Sequence, residues 1–573
     1  MGHHHHDGIS HTHDHTGTHE HLDPAKDLSV PDDALDPTTF GRRGFLRSAG
    51  LLGAGVASVG VMGANGVFAA SASAQTTQAE RRSVRGGFRW LAGDHHIHTQ
   101  YSPDAQYRVL DQVQHAAAYG LDWMVITDHG TVQHSRIGVE KVNPDIVAAR
   151  QLFAADTLVF QGLEWNIPAA EHGTVFVHPG PNEVAVLKKF ETNYDGAVNG
   201  TTASTSANEA IAITGLTYLA DSVKKGSVLD ALMLANHPAR KGIDSPHEIR
   251  GWRDAPGRIA IGMEGAPGHQ AAGIPSPIGP GSGRGYYDNS PDPANSFAGY
   301  PLESYRTWGG FDWMTSTVGG LWDSMLSEGK AWWITANSDS HQIYADTSQR
   351  GPNDDFTTNG FHSPPVHGPL NTSFGDFWPG YYSRTHVGAS DFNYKAVMDG
   401  LRAGRVWVDH GGLIDNLNIR LIGGGQSVPL GGTLAVAPGT QVSLSIDIQP
   451  AYTPNWSQFI PQLAKLDVIS GVVTGKAKNR DTFSAPGTKV IKSYDLSGNG
   501  TNRVRVNVNL GKVGDTGLYV RLRGSDGNRT AVGLNGAAVD ASGPAMDVQG
   551  DADPWNDLWF YTNPIWVLPT SGS

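Results

Sequence analysis

The chain has no cysteine, which excludes a disulfide framework, a thiolate zinc site, a cysteine nucleophile and a lipid-anchored N-terminal cysteine. Any metal must therefore be held by His, Asp and Glu. Positive charge is in deficit, with 42 Lys and Arg against 55 Asp and Glu and a formal charge of −13. That balance argues against a polyanion binder driven by counterion release, so no stable nucleic-acid partner is expected. Charged residues make up only 17% and hydrophobic residues 39%, with 72 Gly and 33 Pro beside 15 Trp and 18 Phe. Such a chain is loop-rich yet able to bury a core, which excludes wholesale disorder. At 573 residues it has room for two or three domains.

Residues 1–40 read as a disordered, His-rich tail, since positions 1–21 alone carry nine of the 25 histidines and almost no apolar residue. Residues 41–74 read as a signal. Gly41-Arg42-Arg43-Gly44-Phe45-Leu46-Arg47 precedes a stretch free of Lys, Arg, Asp and Glu from Ser48 to Ala79, and Ala72-Ser73-Ala74 offers a small-residue cleavage site before Gln75. The segment resembles a twin-arginine export signal, which implies the twin-arginine machinery as a partner and export of an already folded chain. A spanning helix needs about 20 strongly apolar residues, and this stretch is interrupted by Gly63, Asn65 and Gly66. Cleavage is expected to leave no membrane anchor and a soluble periplasmic or extracellular protein, whose charge stays acidic at −9.

Two blocks of different period follow. Over residues 85–412, short apolar runs alternate with helix-like segments, the signature of parallel βα units. The runs read as strands are Phe88–Ile97, Trp123–Thr127, Thr157–Leu163, Thr174–Val177, Ala231–Asn236, Arg258–Met263 and Trp332–Ala336. Asn193–Ser206 and Gly268–Tyr305 read as Gly/Pro/Ser/Asn-rich insertions, which usually build the rim of a site. Over residues 413–573 the period becomes two, as in Leu417, Ile419 and Leu421, in Val442, Leu444, Ile446 and Ile448, and in Val504, Val506, Val508 and Leu510. This block predicts an antiparallel β-sandwich.

The chemistry-bearing residues sit at the strand ends of the first block. His96 and His98 stand two apart after the first strand, so both imidazoles can project to one side. Alone, that spacing is weak evidence, because His11, His13 and His15 of the tail share it. The stronger signal is recurrence: Asp128-His129, Glu164, Glu171-His172, His237-Pro238 and Asp339-Ser340-His341 follow or open successive strands. In a parallel barrel such ends share one face, where catalytic groups collect.

In these residues the chain resembles the PHP (polymerase and histidinol phosphatase) metallohydrolases. Asp94-His95-His96-Ile97-His98-Thr99, Ser102-Pro103-Asp104-Ala105, Ile126-Thr127-Asp128-His129, Gly162-Leu163-Glu164, Asn236-His237-Pro238 and Ser338-Asp339-Ser340-His341 match that family's motifs in order. The resemblance implies a distorted (β/α)7 TIM-like barrel, followed here by the all-β sandwich. It implies three divalent ions, Zn, Mn or Fe, held by His96, His98, Asp104, His129, Glu164, His172, His237, Asp339 and His341. His178 is an alternative to His172, and His95 departs from the apolar residue usual at its position. The eight-stranded amidohydrolase barrel also begins with His-x-His, but it places a bridging lysine where this chain has Glu164.

Packed ions acidify a shared water and neutralise charge on a phosphoryl oxygen. The expected activity is therefore hydrolysis of phosphate mono- or diesters, small or polymer-linked, by an activated hydroxide in a multinuclear site. Three further residues are candidate catalytic groups: Arg240 for bidentate phosphate contact, and Glu264 and His269 to orient a ligand or relay a proton. Asp128 reads as a turn-fixing carboxylate, and Tyr286 and Tyr287 as cleft-lining aromatics. Two other functions compete: hydrolysis of carbamate or other carboxyl-type esters, and non-catalytic binding of cell wall or glycan. The second would use Trp555, Trp559 or Trp566 as an exposed platform.

Overall fold

A computed structural model describes residues 84–528, 540, 542–550 and 552–570. The His-rich tail and the twin-arginine segment lie outside these residues. The described residues form one compact unit. No described helix is long and apolar enough to cross a membrane.

Seven strands build the barrel: β1 (Phe88–Asp94), β2 (Trp123–Ile126), β3 (Leu158–Asn166), β4 (His172–Val177), β5 (Ala231–Ala235), β6 (Ala260–Ala266) and β7 (Trp333–Ala336). From β2 to β7 nearly every strand residue is buried, which explains why they read as continuous apolar runs. Helices α1 (Val109–Ala118), α2 (Val139–Leu152), α3 (Glu183–Tyr194), α4 (Ser206–Lys224) and α5 (Pro246–Asp254) fill the connections. Helix α5 starts where its sequence dictates. Pro246 takes the first helical position, and Ser245 and Glu248 close a reciprocal capping box.

The sheet departs from the expected all-parallel barrel in two ways. Strand β4 runs antiparallel to both β3 and β5, while β1–β2, β2–β3, β5–β6 and β6–β7 are parallel. The reason is connection length. Only residues 167–171 separate β3 from β4, and a parallel crossover needs a dozen residues or more.

The second departure is that the barrel does not close by strand pairing. Strand β1 pairs on its outer side with β8 (Ser383–Ala389), which pairs with β9 (Val406–His410), and both contacts are antiparallel. No ladder joins β7 to either of these strands among the described residues. Side chains bridge the seam instead. Thr385 Oγ1 accepts the Ala336 N–H at 2.8 Å and lies 2.6 Å from the Ala336 carbonyl oxygen, while Asn563 Oδ1 accepts the Ile334 N–H at 2.9 Å. The extra pair β8 and β9 on the β1 side was absent from the sequence reading.

After β9 the chain forms two β layers. One is antiparallel: β10 (Ile414–Gly423), β11 (Gln426–Pro429), β13 (Gln441–Pro450) and β16 (Val504–Lys512), in the order β11-β10-β13-β16 once β12 (Thr433–Val436) is set aside. The other contains β12, β14 (Lys465–Val472), β15 (Lys489–Asp495), β17 (Leu518–Ser525), β18 (Trp559–Thr562) and β19 (Ile565–Pro569). Strand β18 pairs with β9, so this layer continues the barrel sheet. The alternating residues read from sequence face the other layer. Leu417, Leu421, Leu444 and Ile446 share one apolar core with Leu466, Val520, Leu522 and Val567.

The tryptophans proposed for an exposed platform are occupied elsewhere. Trp559 and Trp566 are buried, and Trp555 packs among Phe377, Tyr381 and Tyr382.

Candidate metal centre

At the end of β1 the chain leaves the sheet as His95-His96-Ile97-His98. His96 and His98 turn towards Glu164 of β3 and towards Asp339, just past β7. His96 Nε2 lies 3.1 Å from Glu164 Oε1 and 3.1 Å from Asp339 Oδ1. His98 Nε2 lies 3.4 Å from Glu164 Oε2 and 3.3 Å from Asp339 Oδ1. Neighbouring donors on one ion with bonds of about 2.1 Å stand about 3.0–3.4 Å apart, so these four side chains present the geometry of a single coordination shell.

Glu164 is the hub. Its Oε1 also meets His172 Nδ1 at 3.0 Å and His237 Nε2 at 3.3 Å, and its Oε2 meets His129 Nδ1 at 2.9 Å. A third set forms at the mouth, where the half-exposed Asp104 lies 3.1 Å from His129 Nε2 and 3.5 Å from His341 Nε2. His341 stacks on His98 with ring centroids 3.7 Å apart. All nine residues carried over from the family motifs are therefore gathered at one place, in overlapping groups.

Orphaned polar atoms test whether ions fit. His98 Nε2 and Asp339 Oδ1 are buried without a hydrogen-bond partner, and both face the shell just described. A buried polar atom without a partner costs about 1–3 kcal/mol, and a bound cation would satisfy both. The donor set of imidazoles and carboxylates without thiolate suits Zn, Mn or Fe.

The opposite ring nitrogens are held by the protein, as oriented metal ligands require. Glu264 Oε1 lies 2.7 Å from His96 Nδ1, and its Oε2 accepts the His237 N–H at 2.6 Å. Ser102 Oγ lies 2.8 Å from His98 Nδ1, and the Asp339 carbonyl lies 2.9 Å from His341 Nδ1. Glu264 thus holds the His96 imidazole and the His237 backbone and does not line the cleft. Asp128 accepts from the Thr99 N–H and from the Thr99 and Ser102 hydroxyls, which fixes the turn as read from sequence.

The remaining candidates fall apart from this set or beside it. His95 points into the barrel interior, with Nε2 2.8 Å from Thr335 Oγ1 and Nδ1 3.3 Å from Thr174 Oγ1. His178 turns away to the Pro179 carbonyl, leaving His172 at the hub. Arg240 lines the cleft; its buried Nε has no partner and its Nη2 lies 3.5 Å from Glu171. His269 lines the same cleft between two carboxylates, with Nε2 2.8 Å from Asp339 Oδ2 and Nδ1 2.5 Å from Asp376 Oδ1.

Charge is tightly compensated. Burial would raise the Glu164 carboxyl, but His96, His172 and His129 hold it well below the usual range. Burial and then His341 push the His98 imidazole well below its ordinary value, whereas the facing carboxylates hold His96 and His129 well above theirs. Burial and then Arg240 bring His237 down to about 3.

The groups open onto a cleft of about 360 Å³. Four residues on its wall hold a left-handed backbone: His237 (φ 31°), His269 (51°), Tyr286 (53°) and Asp339 (47°). Non-glycine residues avoid this region at some cost, and such strain concentrates at functional sites. Tyr286 lines the cleft as expected, whereas Tyr287 is buried and donates to Asp312. Asp376 escaped the sequence reading. It arrives from a loop 35 residues beyond His341, with no strand end to mark it.

Residues 94–222 match the PHP domain, which supports a metal-dependent hydrolase. No curated protein matches the chain. Among solved structures, one similar chain is a two-domain protein from Bacteroides vulgatus containing a predicted PHP-like metal-dependent phosphoesterase. It is 14% identical with a TM-score of 0.28, over 80% of this chain and 94% of that one. Another is endonuclease Q in complex with a duplex substrate bearing an abasic lesion, 15% identical with a TM-score of 0.18, over 32% of this chain and 45% of that one.

Proposed function

We propose that this PHP-domain chain is an exported metal-dependent phosphoesterase that hydrolyses phosphate mono- or diesters, small or polymer-linked, at a multinuclear centre. The observation that carries this reading is Glu164, whose two carboxylate oxygens are flanked by five imidazoles within 3.4 Å. His96, His98, Asp104, His129, Glu164, His172, His237, Asp339 and His341 would hold the ions. Divalent ions bound there supply a water acidified towards neutrality and neutralise charge that develops on a phosphoryl oxygen.

The chain's own residues do the rest. Arg240 brings to the cleft a guanidinium whose Nε has no protein partner, suited to a phosphate oxygen. Glu171 and Lys241, 3.0 Å apart, restrain its surroundings. Tyr286 and Phe374 give the cleft an aromatic wall on which the ester's organic part can rest.

Protein stripped by chelator and reloaded with Mn²⁺ or Zn²⁺ should regain turnover of a chromogenic phosphate ester. Turnover indifferent to metal, or turnover of aryl carbamates in its place, overturns the assignment. Export is tested separately. The secreted chain should begin at Gln75, and replacing Arg42 and Arg43 by Lys should retain it in the cytoplasm; secretion of the doubly substituted chain would contradict the twin-arginine route.

A further inference from the structure

The family motifs account for nine donors, but two residues brought by other loops touch the same cluster. His269 follows β6 at the start of the glycine-rich insertion, and Asp376 ends a segment that follows His341. Both loops are shaped for close approach. Gly268 precedes His269, and a Cβ there would lie 2.1 Å from Asp339 Cβ and 2.3 Å from the Ser338 carbonyl oxygen. Gly375 precedes Asp376, and a Cβ there would lie 2.5 Å from Tyr286 Oη. Only glycine fits either position without displacing the neighbour.

We propose that His269 and Asp376 form a strut that holds the Asp339 carboxylate with one oxygen turned to the ion site. This rests on the reading that the centre binds divalent ions. Asp376 Oδ1 takes His269 Nδ1 at 2.5 Å, and its Oδ2 accepts the N–H groups of His341 at 2.6 Å and Gln342 at 2.8 Å. His269 Nε2 in turn holds Asp339 Oδ2 at 2.8 Å. The other oxygen, Oδ1, is left without a hydrogen bond, between His96 and His98. Asp339 itself sits at φ 47° and His269 at φ 51°. The strained ligand and its support are therefore locked to one another across the cleft.

His269, His341 and Asp376 also lie close enough together to hold an ion of their own. The bonding pattern argues for a strut instead. Both ring nitrogens of His269 and both oxygens of Asp376 already have protein partners, whereas the unpartnered atoms lie in the inner shell. His269 and Asp376 are thus positioning residues, acting through Asp339 and, by way of the His341 backbone, on a second group of donors.

The test compares Mn²⁺ binding by the full chain, wild type against His269→Gln and Asp376→Asn. Affinity is measured by competition with a chromogenic chelator, and stoichiometry by metal analysis at saturation. Asp376→Asn keeps an oxygen for the His341 and Gln342 N–H groups and removes the acceptor facing His269, so the fold of the stripped protein should survive, as circular dichroism would show. Each variant should bind the same number of ions as wild type, with the weakest-held ion released about 10–100-fold more readily. Unchanged affinity overturns the strut. So does the complete loss of one ion per chain at saturation, which assigns these residues to a further ion. A wild type that retains no ion overturns the functional reading along with the strut.

Discussion

Asn563 closes the barrel seam against Ile334: its Oδ1 accepts the Ile334 N–H at 2.9 Å and its Nδ2 donates to the Ile334 carbonyl at 3.4 Å. One side-chain amide thus stands in for a neighbouring strand along the open edge of β7. Asn563 comes from the turn between β18 and β19, so the C-terminal layer reaches the open edge of β7 through a side chain. Asn563→Ala leaves a buried N–H without a partner and should cost about 1–3 kcal/mol. Urea denaturation of the chelator-stripped protein measures this. A loss too small to resolve would mean that the seam is satisfied another way.

Glu164→Gln keeps the shape of the hub but removes its negative charge. Because five imidazole nitrogens face that carboxylate within 3.4 Å, ion retention and ester turnover should fall together, by at least about 100-fold. Parallel metal analysis and kinetics check the pairing. Full ion content with unaltered turnover would remove Glu164 from the centre.

A buried ion pair ties the C-terminal layer to the barrel. Arg521 of β17 meets Asp323, on the short helix Leu321–Leu326, through two contacts of 2.9 and 2.8 Å, and both side chains are fully buried. Removing one partner strands the other charge in the interior. Asp323→Ala should therefore destabilise the fold by about 3–5 kcal/mol, while the double replacement Asp323→Leu with Arg521→Met should recover much of that loss. Thermal and urea unfolding of wild type and the two variants separate these outcomes, and equal stability of single and double variants would contradict the account.

Stability should also depend on pH through His134 and Glu191. The imidazole Nδ1 lies 2.8 Å from Glu191 Oε1, with both groups buried. Burial would lower the His134 value, but Glu191, then Asp128 and Asp195, raise it above the ordinary 6.5. A raised value in the folded state means that the stabilisation is complete below about pH 6.5 and is lost as pH climbs through the raised value. Wild type should exceed Glu191→Gln most at acidic pH, with the gap narrowing on the alkaline side. A gap that widens with pH would reverse the sign and refute the pairing.

Much of this molecule was legible from residue order. The seven apolar runs, most of them with a ligand-type residue at or just past one end, became β1 to β7, and the shift to period two located the core-facing alternation of β10 and β13. What escaped has physical causes. The antiparallel β4 was signalled only by the short link after Asn166, which an expectation of parallel units obscured. Strands β8 and β9 carry His386 and Asp409, hydrogen-bonded to each other at 2.8 Å, and their polar content masked them. Asp376 carried no periodic cue, because a loop held by tertiary contacts positions it. His95 shared the spacing of its neighbours yet turned inward to Thr335 and Thr174, a distinction made by packing alone.

The most direct test of the central claim is anomalous diffraction from crystals of the chain loaded with Mn²⁺ or Zn²⁺, recorded at the metal edge. The account predicts peaks enclosed by His96, His98, Glu164 and Asp339, with further density beside His172 and His237 and between Asp104, His129 and His341. Crystals that diffract well but show no peak among these side chains would contradict it.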